Sequence, residues 1–137
     1  EEYMNIKKEI ERLNMSDSVI LHGYMPQGMF CSYLSKAKSM IVDTIKDLNM
    51  VSIPEAIISG TPIVTNSLPT TAKYIAENKL GIVNDIWDYK DLADLISNYK
   101  EYHESCLKVR DELTNVGTSR KMVAIYEKWV KSCNIKG

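Results

Sequence analysis

The chain has 137 residues, 45% of them apolar and 26% charged, a balance that suits one globular domain with a usable core and gives no sign of disorder. Its formal net charge of −1 lacks the basic surplus of a general nucleic-acid binder, and its apolar runs stop well short of the roughly 20 residues that a spanning helix needs. Cys31, Cys106 and Cys133 are far apart and without metal-ligand spacing, so they read as reduced thiols; neither they nor His22 and His103 suggest a metal or a cofactor.

From Glu2 to Asn14, Met4, Ile6, Ile10 and Leu13 recur at helical spacing among Lys and Glu, which predicts an amphipathic helix. Ser16-Asp17 makes a turn, and Val19 to His22 is predicted as a short buried strand closing on Gly23, with His22 packed in the core. A loop from Gly23 to Gln27 leads to a helix over Met29 to Ala37, with Phe30, Tyr33, Leu34 and Ala37 on one side. Ser39 to Asp43 has the length and apolar character of a strand. Next come a loop, a short helix opened at Ser52 and ended by Gly60, and a strand over Pro62 to Thr65. Ser67 to Thr70 is a loop, Thr71 to Glu77 a helix, and Gly81 to Val83 a strand. Asp88 is placed to cap the following helix, with Asp91 completing a capping box and Leu92, Leu95, Ile96 and Tyr99 as its apolar stripe. Tyr102 to Leu113 stays helical. Asn115 to Ser119 is predicted as a break, and a last helix from Ser119 is expected to bury Met122, Val123, Tyr126, Trp129 and Val130. Trp87, Tyr102 and Trp129 read as packing residues. The alternation of strand and helix predicts an α/β domain with a parallel, Rossmann-like three-layer sheet built on strands 19–22, 39–43, 62–65 and 81–84.

The stretch with most chemical content runs from Asp47 to Asn66. With the strand before it, it forms one crossover unit of a parallel sheet, and such units bind ligands in the loop past the strand's carboxyl end, beside the helix N-terminus. Asp47 lies in that loop, and Glu55 follows after seven intervening residues. The backbone amides of Asn49, Met50 and Val51, just before the helix, could meet a diphosphate. Ser52-x-x-Glu55 also spells a capping box, in which the carboxylate reaches back to the Ser52 amide, so Glu55 has both a structural and a ligand-binding reading.

Glu55-Ala56-Ile57-Ile58-Ser59-Gly60-Thr61-Pro62-Ile63-Val64 resembles the donor-binding region of retaining glycosyltransferases of the GT-B fold, family 4 of the glycosyltransferases, in which two Glu separated by seven residues precede a small-residue helix and Gly-x-Pro-[VI]-[VI]. Val19, Leu21 and Gly23 fit that family's Val-x-Phe-x-Gly frame. The chain departs from the family at Asp47, where it has Glu; at Leu48 and Met50, where a Gly pair is frequent; and at Pro69-Thr70 and Lys73, where Gly-Gly and Glu are frequent. The resemblance implies that Glu55 bonds the ribose hydroxyls, that Asp47 contacts the transferred sugar, that Asn49, Met50 and Val51 meet the diphosphate, and that Gly23, Tyr24 and Met25 lie near the nucleobase. The basic pair that neutralises the diphosphate in the family belongs to a segment outside these residues.

The resemblance thus implies the partial C-terminal domain of a GT-B enzyme. That enzyme is expected to move a sugar from a nucleotide-diphosphate sugar to an acceptor saccharide or lipid-linked saccharide without a metal or cofactor, in the cytoplasm or on the inner membrane face, as in bacterial surface-polysaccharide synthesis. An N-terminal acceptor domain and the first donor-domain strands are expected beyond Glu1. The fragment by itself is expected to bind donor without turnover and to leave a sheet edge that is uncovered or paired in a homodimer. Two alternatives stand beside this: a nucleotide-sugar 2-epimerase of the same fold, and a non-catalytic binding or pairing module.

Overall fold

A computed structural model of the chain describes residues 2–134 and divides into two compact units, one ending at Phe30 and the other beginning at Cys31. In the first unit, α1 (Glu2–Arg12) carries an Arg12–Glu9 ion pair in its last turn and ends at Asn14, whose φ of 53° takes the chain out of the helix. Residues 19–22 are not the strand expected from their apolar character. No strand pairs with them among the described residues, and a strand without a ladder leaves its backbone groups to water. Val19, Ile20 and Leu21 instead line a cleft of about 280 Å3 with Tyr3 and Ile10 of α1, and His22, expected in a core, is exposed. The chain then enters α2 (Gln27–Leu34).

The second unit is built on a three-stranded, wholly parallel sheet in the order β1 (Met40–Val42), β2 (Ile63–Thr65), β3 (Gly81–Val83). The register sets Val42 beside Thr65 and Thr65 beside Val83, so all three carboxyl ends stop at one line. β2 is buried at every position, as a central parallel strand covered on both faces must be, while Ile41 on the edge strand β1 is 46% exposed. Two crossovers make this order: α3 (Ser52–Ile58) joins β1 to β2, and α4 (Ala72–Glu77) joins β2 to β3. Each buries its apolar positions, Ile53, Ala56 and Ile57 on α3 and Ala72 and Ile75 on α4. Together with Ile63, Val64, Leu80 and Leu95 these make the core. The result is a mixed α/β, Rossmann-like domain.

α5 (Tyr89–Ser97) opens with the expected capping box: Asp88 accepts from the Lys90 amide at 2.7 Å, and Asp91 accepts from the Asp88 amide at 2.9 Å. α6 (Tyr99–Leu113) packs on α3. The contact is latched where α3 ends: Gly60, at φ +80°, presents its carbonyl to His103 Nδ1 at 2.6 Å, while Tyr99 stacks on His103 and Lys38 sits 4.1 Å over the Tyr99 ring. A carbonyl only accepts, so the proton of this bond is on Nδ1.

The expected break at 115–119 is not there. α7 (Asn115–Asn134) starts immediately after Thr114, whose extended backbone and side-chain oxygen, accepting from the Gly117 amide at 3.1 Å, make it the helix cap. Gly117 permits so tight a turn because a Cβ there would lie 1.9 Å from the Asp111 carbonyl oxygen. The predicted buried side of this helix is also corrected: Met122, Val123, Tyr126, Trp129 and Val130 are between 47% and 64% exposed. Helical periodicity identifies an apolar face correctly but cannot say whether anything covers it. The side chain of Cys133 lies outside the described residues.

Candidate donor site at the carboxyl edge of the sheet

Parallel strands with a common end place the next residue of each along one edge: Asp43 after β1, Asn66 after β2 and Asn84 after β3. Open α/β sheets bind ligands at this edge, because the loops diverge there and expose unpaired backbone groups. Asn66, 7% exposed, donates through Nδ2 to Asp43 Oδ1 at 2.9 Å and to the Thr44 carbonyl at 2.7 Å. Its Oδ1 is buried and unpartnered, as is Thr65 Oγ1. Asn84 extends the ladder by donating its amide to the Thr65 carbonyl and reaches α5 through Asp91.

The β1–α3 loop is organised by its own side chains. Thr44 Oγ1 accepts from the amides of Lys46 at 3.3 Å and Asp47 at 3.0 Å, and Asp47 Oδ1 accepts from the Asn49 amide at 3.0 Å. Thr70, from the β2–α4 loop, bonds the far end: its amide and hydroxyl both donate to the Leu48 carbonyl, at 2.9 and 3.0 Å, and the hydroxyl also lies 3.0 Å from Asn49 Oδ1. On the other side Asp85 accepts from the Ser67 amide at 2.7 Å, a bond that holds its carboxyl below the usual value.

Asp47 is exposed in the loop with one carboxylate oxygen committed to Asn49. Glu55 is half-buried in the first turn of α3. The helix cap is Val51, in α-region dihedrals (φ −62°, ψ −29°) and without a side-chain cap bond, and Ser52 is already helical, one position past the cap that the Ser52-x-x-Glu55 box assigns to it. Met50 is half-buried and Val51 exposed just before this turn. Gly23, Tyr24 and Met25 belong to the first unit, where Gly23 adopts φ +63° and Tyr24 is 95% exposed. Lys73 is exposed and pairs with Glu77 at 3.7 Å.

Sequence reasoning missed the residues that hold the loop. Thr44, Asn66 and Thr70 are short polar side chains in loops, and only the signal of an Asn directly after a buried apolar strand could have singled one out. The Thr70 departure from a glycine pair has a local account, since its side chain supplies bonds to Leu48 and Asn49 that glycine cannot make.

Residues 1–116 match the family model described as glycosyl transferases group 1, a match that takes in all three strands and helices α1 to α6. The chain belongs to this family. A comparison with curated proteins gives no match. As a group 1 glycosyl transferase the chain works with a nucleotide-sugar donor and an acceptor. Among the described residues no His, Cys, Asp or Glu cluster is placed to hold a metal ion, and no helix is long and apolar enough to cross a membrane.

Proposed function

We propose that the β1–α3 loop and the first turn of α3 form the donor site of a retaining, metal-independent glycosyltransferase, the C-terminal half of a GT-B enzyme that transfers a sugar from a nucleotide-diphosphate sugar. The observation that carries this reading is the position of Asp47 within the strand-to-helix loop and of Glu55 in the first turn of the helix that follows it, at the carboxyl edge of a parallel sheet, in a group 1 glycosyl transferase. Glu55 accepts from the ribose hydroxyls, and Asp47 from hydroxyls of the transferred sugar. Asp47 now holds the Asn49 amide, so donor binding involves an exchange: the carboxylate turns to the sugar and frees that amide, with those of Met50 and Val51, for the diphosphate. The amides so exposed then stabilise the leaving nucleoside diphosphate, and catalysis is electrostatic and positional. The nucleobase role of Gly23, Tyr24 and Met25 rests on the family resemblance alone. The acceptor, a saccharide or lipid-linked saccharide of the bacterial cell surface, and the place of action on the cytoplasmic side rest on the same analogy.

Glu55→Gln tests the reading, because it preserves shape and removes charge. A ribose-binding carboxylate loses a charge-assisted contact, about 1.5–3 kcal/mol or roughly tenfold to a hundredfold in donor affinity. A carboxylate that serves only the helix start loses about 1 kcal/mol or less of stability and leaves affinity unchanged. Calorimetric titration with nucleotide sugars, run beside thermal melts, separates the two; unchanged affinity with a lowered Tm refutes the donor-site assignment.

A further inference from the structure

We propose that Asn66 is a positioning residue for glycosyl transfer, its carboxamide fixing Thr44 and through it the placement of Asp47; this rests on the donor-site reading above. Both partners of Nδ2, Asp43 Oδ1 and the Thr44 carbonyl, are acceptors, so the orientation of the amide is determined. That orientation strands Oδ1, buried and without a partner, in a side chain only 7% exposed. An unpaired buried carbonyl oxygen is unfavourable, and an apolar filler at this place would avoid it, so the position is held for its two donated bonds. Those bonds act on the first two residues past β1. Thr44, anchored by its carbonyl, uses Oγ1 to receive the Lys46 and Asp47 amides, and Asp47 in turn receives the Asn49 amide. One buried side chain at the end of the central strand therefore sets the start of the loop, and Thr70 holds its far end at Leu48 and Asn49. With both ends fixed, the backbone at Asp47 is held where its carboxylate can turn to a sugar, while Glu55 stands on α3, which is seated in the core by Ile53, Ala56 and Ile57.

The unmutated protein, Asn66→Asp and Asn66→Ala are compared in two measurements. In the first, amide hydrogen exchange at Lys46 and Asp47 speeds up roughly tenfold in both variants while β2 and α3 stay protected. In the second, titration with a panel of nucleoside diphosphates and the matching hexose esters shows nucleotide-sugar affinity falling about tenfold to a hundredfold, with the bare diphosphates within about threefold. If Asn66→Asp fails to fold because two carboxylates face each other, Asn66→Ala, which adds no charge, decides the matter. Unchanged exchange over 44–50 overturns the inference, as does a loosened loop with both ligand classes affected equally or neither affected. Should no member of the panel bind the unmutated protein, the donor-site reading fails and takes the inference with it; binding by the unmutated protein with unselective variants defeats the inference alone.

Discussion

Gly60→Ala perturbs the junction at which α3 ends and the chain turns into β2. Gly60 sits at φ +80°, where an alanine pays about 1–2 kcal/mol for its Cβ. That Cβ would also stand 2.8 Å from His103 Cε1, 3.0 Å from its Nδ1 and 3.1 Å from Leu107 Cδ2, closer than side chains tolerate. His103 must therefore move, which lengthens its 2.6 Å bond to the Gly60 carbonyl, a net loss of about 0.5–1.5 kcal/mol. The lower entropy of an unfolded chain with alanine returns about 0.4–1 kcal/mol. The expected net destabilisation is about 2 kcal/mol, equivalent to roughly 4–8 °C in each kcal/mol for the smallest domains and about half of that for a chain somewhat longer than this one. Urea unfolding followed by circular dichroism measures it, and a double-mutant cycle with His103→Ala apportions it. Without the imidazole, the Gly60→Ala cost should fall by about 1 kcal/mol, because the hydrogen-bond part and the two shorter of the three steric contacts pass through His103. A neutral Gly60→Ala substitution, or a cost identical in the two backgrounds, would refute the account of this latch.

Cys106 is fully buried beside the Leu80 carbonyl, and burial pushes its thiol up to about 12, so at pH 8 a disulfide reagent should leave it unmodified in the native protein while labelling the partly exposed Cys31; mass spectrometry of the digested protein reads out these two sites separately. The Asp85 carboxyl, held below its ordinary 3.8 first by the Ser67 amide bond, has a depressed folded-state value. Its contribution is therefore complete above that ordinary value and disappears as the pH falls through the lower folded one. Carboxyl NMR titration should find the Asp85 midpoint below that of a free aspartate, and Asp85→Asn should remove the matching part of the acid sensitivity of the Ser67 amide shift.

Local chemistry carried much of this fold in legible form. β1 and β3 follow from short apolar runs, β2 begins one residue inside its predicted span, and the Asp88–Asp91 box fixes the start of α5 because all its partners lie within four residues of one another. The acidic pair Asp47 and Glu55, and the turn at Gly60, were visible for the same reason: spacing along one loop and one helix determines where they stand. What failed needed a distant partner. Val19 to His22 has the composition of a strand, but a strand exists only when another offers its ladder, and α7 has an apolar stripe that nothing among the described residues covers. The bonds that tie the β1–α3 loop to the residues after β2 span 21 to 23 residues of sequence, from Asn66 to Asp43 and from Thr70 to Asn49. They arise only once parallel pairing has aligned the ends of β1 and β2. The sequence alone determined which loop and helix start carry the acidic pair, because that depends on near neighbours; only the tertiary structure decided which side chains tie that loop to the rest of the sheet, because the Asn66 and Thr70 contacts are made across it.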